Sequence, residues 1–402
     1  METSIESSGY RDFLWAIDLN RQSLELIGLW PNMDGVVKRR FGPDIRASFT
    51  FIMIAFILGI PLVHAFMRVW GDMTLMIDNL RLTLPMLTIL LKFVIMRQKQ
   101  SVLLSVINMM KEDWMTLKQV TERDVMMKRV RISRLIVICA YVLTVFTFIM
   151  MIIFPYFGLS FRHLTNLTDR NKPLILQTYY CYDTDKSPQF ELTYLTQVIG
   201  MFLAIIIYIS IDSFLGLVIF HICGQLENFR RRLVNLDANH EFKEALSYNI
   251  ETHVRLIRYI DIVEDIFNLM MLASMTYFSF LFCISGFVLI VMINNEKINA
   301  ASFSRIYYVI VIIIILFAQM FLYCYGAELI TEQSEAVYRT VYDLQWYNWE
   351  SKQARNLILL MIQIQEPFRI TAGKIVPLTM TTFCNLLKTS ASYMSVLLAI
   401  QN

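Results

Sequence analysis

Apolar stretches long enough to cross a lipid bilayer alternate with polar and charged segments along the whole chain. About 20 consecutive apolar residues in a helix span the hydrocarbon core of a membrane, and shorter apolar runs do not. The pattern therefore predicts an all-α membrane protein with seven transmembrane helices. The predicted spans are residues 47–66, 73–96, 135–154, 191–220, 269–293, 306–327 and 375–400.

The second and last of these spans carry polar residues that a lipid-facing helix avoids. Asp78, Arg81 and Lys92 lie in the second span, so it must face protein or water along part of its length. In the last span, helical steps of three and four residues align a stripe that is polar first and apolar at its end. This stripe fits a helix that lines a water-filled path to a hydrophobic constriction, and it also fits a close helix–helix contact. Its members are Asn385, Thr389, Ser392, Val396 and Ile400.

The composition agrees with a membrane protein and offers no catalytic centre. Of the 402 residues, 56% are hydrophobic and 17% are charged, whereas soluble domains carry about 25% charged residues. The six cysteines are scattered without a CxxC pair, and the five histidines are dispersed without an HExxH motif. We therefore predict no disulfide framework, no metal site, no cofactor and no enzymatic activity. Residues 1–20 lack a cleavable apolar core, so the first span is expected to act as the membrane signal.

The distribution of lysine and arginine predicts how the chain is oriented. Basic residues are dense in the N-terminal segment and in residues 97–134, 221–265 and 328–374, which places these segments in the cytoplasm. The segment 155–190 is sparse in basic residues and carries a glycosylation acceptor at Asn166, which requires an external position. The N-terminus is therefore predicted to be cytoplasmic and the C-terminus external.

This topology divides the chain into four segments. The first is cytoplasmic, and its amphipathic helix at 10–30 is predicted to lie on the membrane surface. The second holds six spans, the third is cytoplasmic and rich in aromatic residues, and the fourth holds the last span. An apolar run at 356–364 is too short to span, so it is predicted to form a helix packed below the membrane. The predicted segments are 1–45, 46–327, 328–374 and 375–402.

Four stretches of sequence carry a recognisable signature. They are IGLWP at 27–31, GAELITEQSEAVY at 326–338, QEP at 365–367 and LKTSASYMSVL at 387–397. Together with seven spans, a cytoplasmic N-terminus and a short external C-terminus, they resemble the insect odorant receptor family. The resemblance is strongest over about residues 326–402 and is mostly topological before them.

Related classes of receptor fit the sequence less well. Gustatory receptors of the same superfamily end in a Thr-Tyr motif followed by five apolar residues and Gln-Phe, whereas here seven residues separate Tyr393 from Gln401. The odorant receptor coreceptor has a long insertion in the cytoplasmic loop that corresponds to 221–265, and this chain lacks it. A G-protein-coupled receptor has the opposite orientation. The chain therefore resembles a ligand-tuning subunit.

The resemblance implies a heterotetrameric, odorant-gated, nonselective cation channel formed with the coreceptor in the plasma membrane of olfactory sensory neurons. Its partners would be the coreceptor, a small volatile odorant, membrane lipid and permeant cations, and no nucleic acid. The last helix would line the pore, with Thr389 and Ser392 facing hydrated ions and Val396 and Ile400 closing the gate. The cytoplasmic segment would anchor the subunits to one another through Tyr338, Tyr342 and Trp346.

The family also places an odorant pocket in the outer halves of the spans. Helix directions and the helical rise bring aromatic, methionine and small polar residues of four spans to a common depth. Such a lining suits a small, mostly apolar guest. The expected pocket residues are Asn79, Thr83, Thr147, Phe148, Met151, Gln197, Met201, Tyr307 and Tyr308.

Overall fold

The computed structural model describes residues 2–31, 41–116, 119–153, 174–236, 242–295 and 300–401. These residues are almost entirely helical. A π-helical stretch, Met53–Gly59, joins α2 to α3, and the strands β1 (Thr371–Ala372) and β2 (Val376–Pro377) form an antiparallel hairpin. The helices are α1 (Glu2–Leu26), α2 (Phe41–Ile52), α3 (Ile60–Arg68), α4 (Met73–Gln98), α5 (Gln100–Met115), α6 (Val120–Ile153), α7 (Gln189–Val234), α8 (Phe242–Asn295), α9 (Ala300–Asp343), α10 (Ser351–Ile364) and α11 (Met380–Gln401).

The predicted spans all correspond to helices, which confirms the all-α membrane fold. The seventh span corresponds to α11, whose 22 residues reach about 33 Å at the helical rise and can cross a bilayer. Within the described part of the chain, six helical segments are both long and apolar enough to cross a membrane, and the more polar α11 is not among them. They are Phe41–Arg68, Leu75–Gln98, Val120–Ile153, Gln189–Val234, Phe242–Ile293 and Ser304–Asn348.

Four of these spans are parts of much longer helices. The helices α7 and α8 run for 46 and 54 residues, so each continues without a break between its predicted span and the charged segment at 221–265. No proline interrupts either helix, and Phe229 and Leu233 remain fully buried beyond the predicted end of the fourth span. The fall in apolarity along the sequence therefore marks the predicted edge of the membrane, while the helix itself goes on.

The centre of the bundle is α7. In its most apolar window 72% of the residues are buried, against 6% for α6. It packs against α1, α4, α6, α8 and α9. Because lipid is as apolar as leucine, the exposed side chains of α6 are compatible with a position at the lipid boundary.

The amphipathic α1 packs its apolar stripe against protein. Phe13, Leu24 and Ile27 are fully buried, and the helix contacts α5, α6 and α7. Ser213 of α7 donates a hydrogen bond to Asn20 Oδ1 at 2.6 Å. The predicted amphipathic helix is therefore present with its apolar stripe covered by protein, and its position on the membrane surface stays a prediction, because such a stripe has the same periodicity whether lipid or protein covers it.

The last helix begins later than predicted. Residues 375–379 were expected in the span, but Val376 and Pro377 pair with β1, and α11 starts at Met380, whose backbone N–H donates to Glu328 Oε2 at 3.0 Å. The hairpin turns at Gly373 and Lys374, which have φ angles of 63° and 59°. A left-handed backbone ends regular helix, so the positive φ angles and Pro377 account for the shift.

A buried ionic cluster joins four helices in the inner half of the bundle. Lys92 of α4 lies 2.7 Å from Asp212 Oδ1 of α7 and 3.0 Å from the hydroxyl of Tyr323 of α9. The side chain of Lys92 is 2% exposed and that of Asp212 is 18% exposed. Gln319 donates to the same carboxylate and accepts from Tyr208, whose hydroxyl lies 3.3 Å from that of Tyr277 of α8. Each charge is thus compensated where water cannot solvate it.

Replacing Lys92 by methionine should lower the free energy of unfolding by about 3–5 kcal/mol, because it leaves the Asp212 carboxylate without its cation. The control is Lys99→Met, which removes an ion pair whose side chains are 37% and 51% exposed and should cost below about 1 kcal/mol. Thermal unfolding of the protein purified in detergent measures both. The double variant Lys92→Met with Asp212→Leu should recover part of the loss. Equal losses for the two single variants would contradict a stabilising role for this pair.

Candidate functional site

Two polar residues of α4 begin a hydrogen-bonded cluster at the predicted outer end of the bundle. Asn79 is fully buried, and Thr83 is 5% exposed. The Thr83 hydroxyl donates to Asn79 Oδ1 at 2.8 Å. The amide Nδ2 of Asn79 then donates to the carbonyl oxygen of Gln177 at 3.2 Å. The two predicted pocket residues therefore bind a segment that lies just before α7 in the chain.

That segment, residues 174–180, is named here the outer strap. Residues 174–178 are all buried, although connecting segments usually run over the surface. Gln197 of α7 holds the strap from the other side: its Oε1 accepts from Leu176 N at 3.2 Å, and its Nε2 donates to Thr178 Oγ1 at 2.8 Å. The strap is thus tied to both α4 and α7 by residues that the sequence had assigned to the pocket.

The π-helical stretch before α3 provides a third attachment for the strap. Pro61 has no backbone N–H, so the carbonyl of Ile57 lacks its usual helical donor. The Tyr180 hydroxyl donates to that carbonyl at 3.1 Å, and the backbone N–H of Tyr179 donates to the Pro61 carbonyl at 3.2 Å. Burial raises the pKa of Tyr180, so its hydroxyl remains neutral and able to donate at physiological pH.

The strap is the part of the site that sequence reasoning missed. Residues 174–176 are Leu-Ile-Leu, an apolar run too short to be taken for a span or a core element. The run was a usable signal, because three consecutive apolar residues in a predicted external loop need a partner surface.

The side-chain amide of Gln177 is enclosed without a protein partner in the described part of the chain. The residue is 1% exposed, and neither its Nε2 nor its Oε1 accepts or donates a hydrogen bond. Buried amides are almost always hydrogen-bonded, because an unmade bond costs about 1–3 kcal/mol. The strap therefore holds a buried NH2 group and a buried carbonyl oxygen whose hydrogen bonds are unmade within the described residues.

The predicted apolar members lie along the contact of α6 with α7. The ring centroids of Phe148 and Phe202 are 6.3 Å apart, and Met151 and Met201 both pack partly buried against the core. The Thr147 hydroxyl donates to the Leu143 carbonyl within its own helix at 2.8 Å. This contact supplies an adaptable apolar wall.

The two predicted tyrosines of α9 have different surroundings. Tyr307 is 39% exposed on the isolated subunit. Tyr308 is half-buried, and the centroid of its ring lies 5.4 Å from the guanidinium carbon of Arg81 of α4. Of the two, Tyr308 therefore borders the buried polar residues of the site.

The last helix has a packed side and an open side. Phe383 packs on Phe317 of α9 with ring centroids 5.1 Å apart, and Ser390 is 2% exposed beside α8. The predicted stripe lies on the open side: Thr389 and Ser392 are exposed, and Val396 is 55% exposed. The side chain of Ile400 lies outside the described residues. In one subunit, the stripe is therefore available to a pore or to a neighbouring subunit.

The cytoplasmic segment also leaves large apolar side chains uncovered. The predicted packed helix is present as α10, which buries Leu357 and Leu360 against α9. Its other face carries Leu359 and Ile362, each 59% exposed. Among the predicted anchor residues, Tyr342 is 61% exposed, whereas Tyr338 and Trp346 are half-buried against the core.

One predicted site lies beyond what the structure describes, and one class of site is not found within it. Asn166, the glycosylation acceptor, lies outside the described residues. Across the described ranges, no three His, Cys, Asp or Glu side chains are grouped so that they could hold a metal ion.

Comparison with known proteins identifies the family. The family model described as 7tm Odorant receptor matches residues 72–391. The chain belongs to the odorant receptor family. Odorant receptor 13a of Drosophila melanogaster is 27% identical over 251 residues, which are 58% of this chain and 58% of that protein. Odorant receptor 10 of Aedes albopictus is 26% identical over 226 residues, 55% of this chain and 58% of that protein. The match thus spans less than two thirds of these relatives.

Solved structures share the fold of this odorant receptor chain. The insect olfactory receptor OR5 from Machilis hrabei, solved in complex with eugenol, superposes with a TM-score of 0.79 at 17% identity and covers 97% of this chain and 99% of that one. A second structure of the same receptor superposes with a TM-score of 0.78 at 16% identity. The resemblance to insect odorant receptors found in the sequence is therefore confirmed.

Gln197→Leu should release the outer strap, because three hydrogen bonds to residues 176, 178 and 180 depend on that amide. Hydrogen–deuterium exchange of the purified protein should show faster exchange of the strap amides. Gln189→Leu is the matched control, since Gln189 is exposed on the same helix. Unchanged protection of residues 176–180 in the Gln197 variant would show that other contacts hold the strap.

Proposed function

We propose that this chain is the odorant-binding subunit of an odorant-gated, nonselective cation channel formed with the odorant receptor coreceptor in the plasma membrane of olfactory sensory neurons. The observation that carries the proposal is the shared fold over 97% of the chain with a receptor that was solved in complex with eugenol, a small volatile phenol. Membership of the odorant receptor family supports it.

The binding region in this proposal lies below the outer strap, between α4, α6, α7 and α9. Asn79, Thr83 and Gln197 position the strap by hydrogen bonds. Phe148, Met151 and Met201 supply the apolar wall, and Tyr308 supplies an aromatic edge. A guest held mainly by such a lining and oriented by a few polar groups is small and largely apolar.

The conduction path in this proposal runs along the open side of α11. The hydroxyls of Thr389 and Ser392 donate to carbonyls of their own helix at 2.8 and 3.0 Å, which leaves their oxygen lone pairs directed outward to hydrated cations. Val396 follows one turn later, and a ring of such side chains closes a pore because water in a narrow apolar neck loses hydrogen bonds. Odorant binding would open that neck.

The proposal predicts currents only from the complete channel. Cells that express this chain together with the coreceptor should give inward currents to some members of a panel of volatiles. Met201→Ala should shift the concentration that gives half-maximal current, while surface expression remains at the wild-type level. Cells that express the coreceptor alone provide the baseline. Odorant currents that are the same with and without this chain would remove its assigned role.

Val396→Ser should raise the current that flows without odorant, because a hydroxyl eases wetting of the neck. The increase should be graded, since the coreceptor supplies the other side chains of the ring. Cys384→Ser, another exposed position of α11, is the control and should leave basal current unchanged. If Ser, Lys and Glu at 396 all leave basal current and reversal potentials at wild-type values, Val396 does not line the path.

We propose that Tyr342, exposed near the end of α9, and Trp346, half-buried just beyond it, contact other subunits. Tyr342→Ala with Trp346→Ala should reduce co-purification with the coreceptor severalfold, because buried aromatic side chains carry much of the energy of protein interfaces. Trp70→Ala removes an aromatic side chain that is 71% exposed at the opposite end of the bundle, so it should not change assembly. Wild-type recovery of the complex with the double variant would exclude this segment as the anchor.

A further inference from the structure

Two cationic side chains are buried in the described part of the chain, and their surroundings differ. Lys92 is paired with Asp212 and Tyr323, as described above. Arg81 is 5% exposed, and its contact to a carboxylate is a long one, from Nη1 to Asp78 Oδ1 at 3.4 Å. Its Nε and Nη2 have no hydrogen-bond partner. Among the described residues, two strong donors are therefore held away from water without an acceptor.

The two unpartnered donors lie on the same edge of the guanidinium group. The N–H of Nε and one N–H of Nη2 are nearly parallel in the planar fork of an arginine side chain. That edge matches the two oxygens of a carboxylate, and its two donors can also converge on one carbonyl oxygen, which has two lone pairs. Ionisable residues inside a membrane span are rare and commonly mark functional sites.

Arg81 lies at the depth of the proposed binding region, on the side of α4 that approaches Tyr308 of α9. Arg81 lies two residues before Thr83 on α4, about 12 Å along the helix from Met73 by the helical rise. The ring of Tyr308 lies 5.4 Å from its guanidinium carbon, and Tyr308 borders the same region. The donors are thus at the depth at which a guest below the strap would bind.

We propose that Arg81 binds the carbonyl oxygen of an uncharged odorant such as an ester, lactone, ketone or aldehyde. The inference rests on the proposed odorant-binding function and specifies its ligand class. An uncharged ligand is favoured because Asp78 lies beside the guanidinium group, so that a carboxylate ligand would bring a second negative charge next to the first. The apolar wall of α6 and α7 would receive the hydrocarbon part of the molecule.

The test compares ligands of equal size that differ in the acceptor. Pentyl acetate, heptanoic acid and nonane are applied, within a wider panel of carbonyl volatiles and matched hydrocarbons, to cells that express this chain with the coreceptor. The most potent activators should contain an uncharged carbonyl group. In Arg81→Met, their half-maximal concentrations should rise about ten- to hundredfold, the factor expected for a hydrogen bond to a charged group. Activators without a carbonyl should change little.

Arg81→Lys is the conservative control, because it keeps the charge and loses the paired edge, and it should give an intermediate shift. Surface labelling and co-purification with the coreceptor show that each variant is folded. Potent activators that lack a carbonyl, or carbonyl activators whose potency is unchanged in Arg81→Met, would overturn the inference and leave the odorant-binding function intact. The absence of current to every volatile in wild type would instead count against the proposed function itself.

Discussion

Inside a bilayer, charged and polar groups have no water to solvate them, and the protein must satisfy them itself. Lys92 and Asp212 meet this requirement by pairing across α4 and α7, with Tyr323 of α9 as a third partner. Breaking one side of such a pair costs more than the pair contributes, because the remaining charge stays buried. The pair therefore fixes the relative positions of the helices that also carry the outer site.

The same requirement explains the construction of the outer site. The Ile57 carbonyl, which Pro61 leaves without a helical donor, accepts a hydrogen bond from the Tyr180 hydroxyl. The side chains of Asn79 and Gln197 form hydrogen bonds with the buried backbone of the strap. Several buried polar atoms in the described part of the chain have no hydrogen-bond partner, and two of the side chains concerned, Gln177 with its amide and Arg81 with its Nε and Nη2, lie at the outer site. Within the outer site, these are the two positions at which we propose that a guest would complete the hydrogen bonding.

The sequence predicted the helices well and their surroundings less well. The length of the apolar stretches located the spans. Helix direction and helical rise selected Asn79, Thr83 and Gln197 as pocket residues at a common depth, and the structure joins these three through the strap. Periodicity could not tell whether lipid or protein covers Phe13 and Leu24 of α1, since both surfaces are apolar. The apolar run from Leu174 to Leu176 indicated that this loop needs a partner surface, but not that α4 and α7 provide it. The helix start at Met380 depends on the hairpin geometry at Gly373 and Lys374, which is a tertiary feature.

The central claim is that one region below the strap binds the odorant while the open side of α11 lines the pore. A cryo-electron microscopy structure of this chain assembled with the coreceptor, prepared with an activating volatile, tests both parts together. The account predicts ligand density between α4, α6, α7 and α9 beneath residues 174–180, with Thr389, Ser392 and Val396 facing a common central axis. Ligand density elsewhere, or an α11 whose exposed side faces lipid, would contradict it.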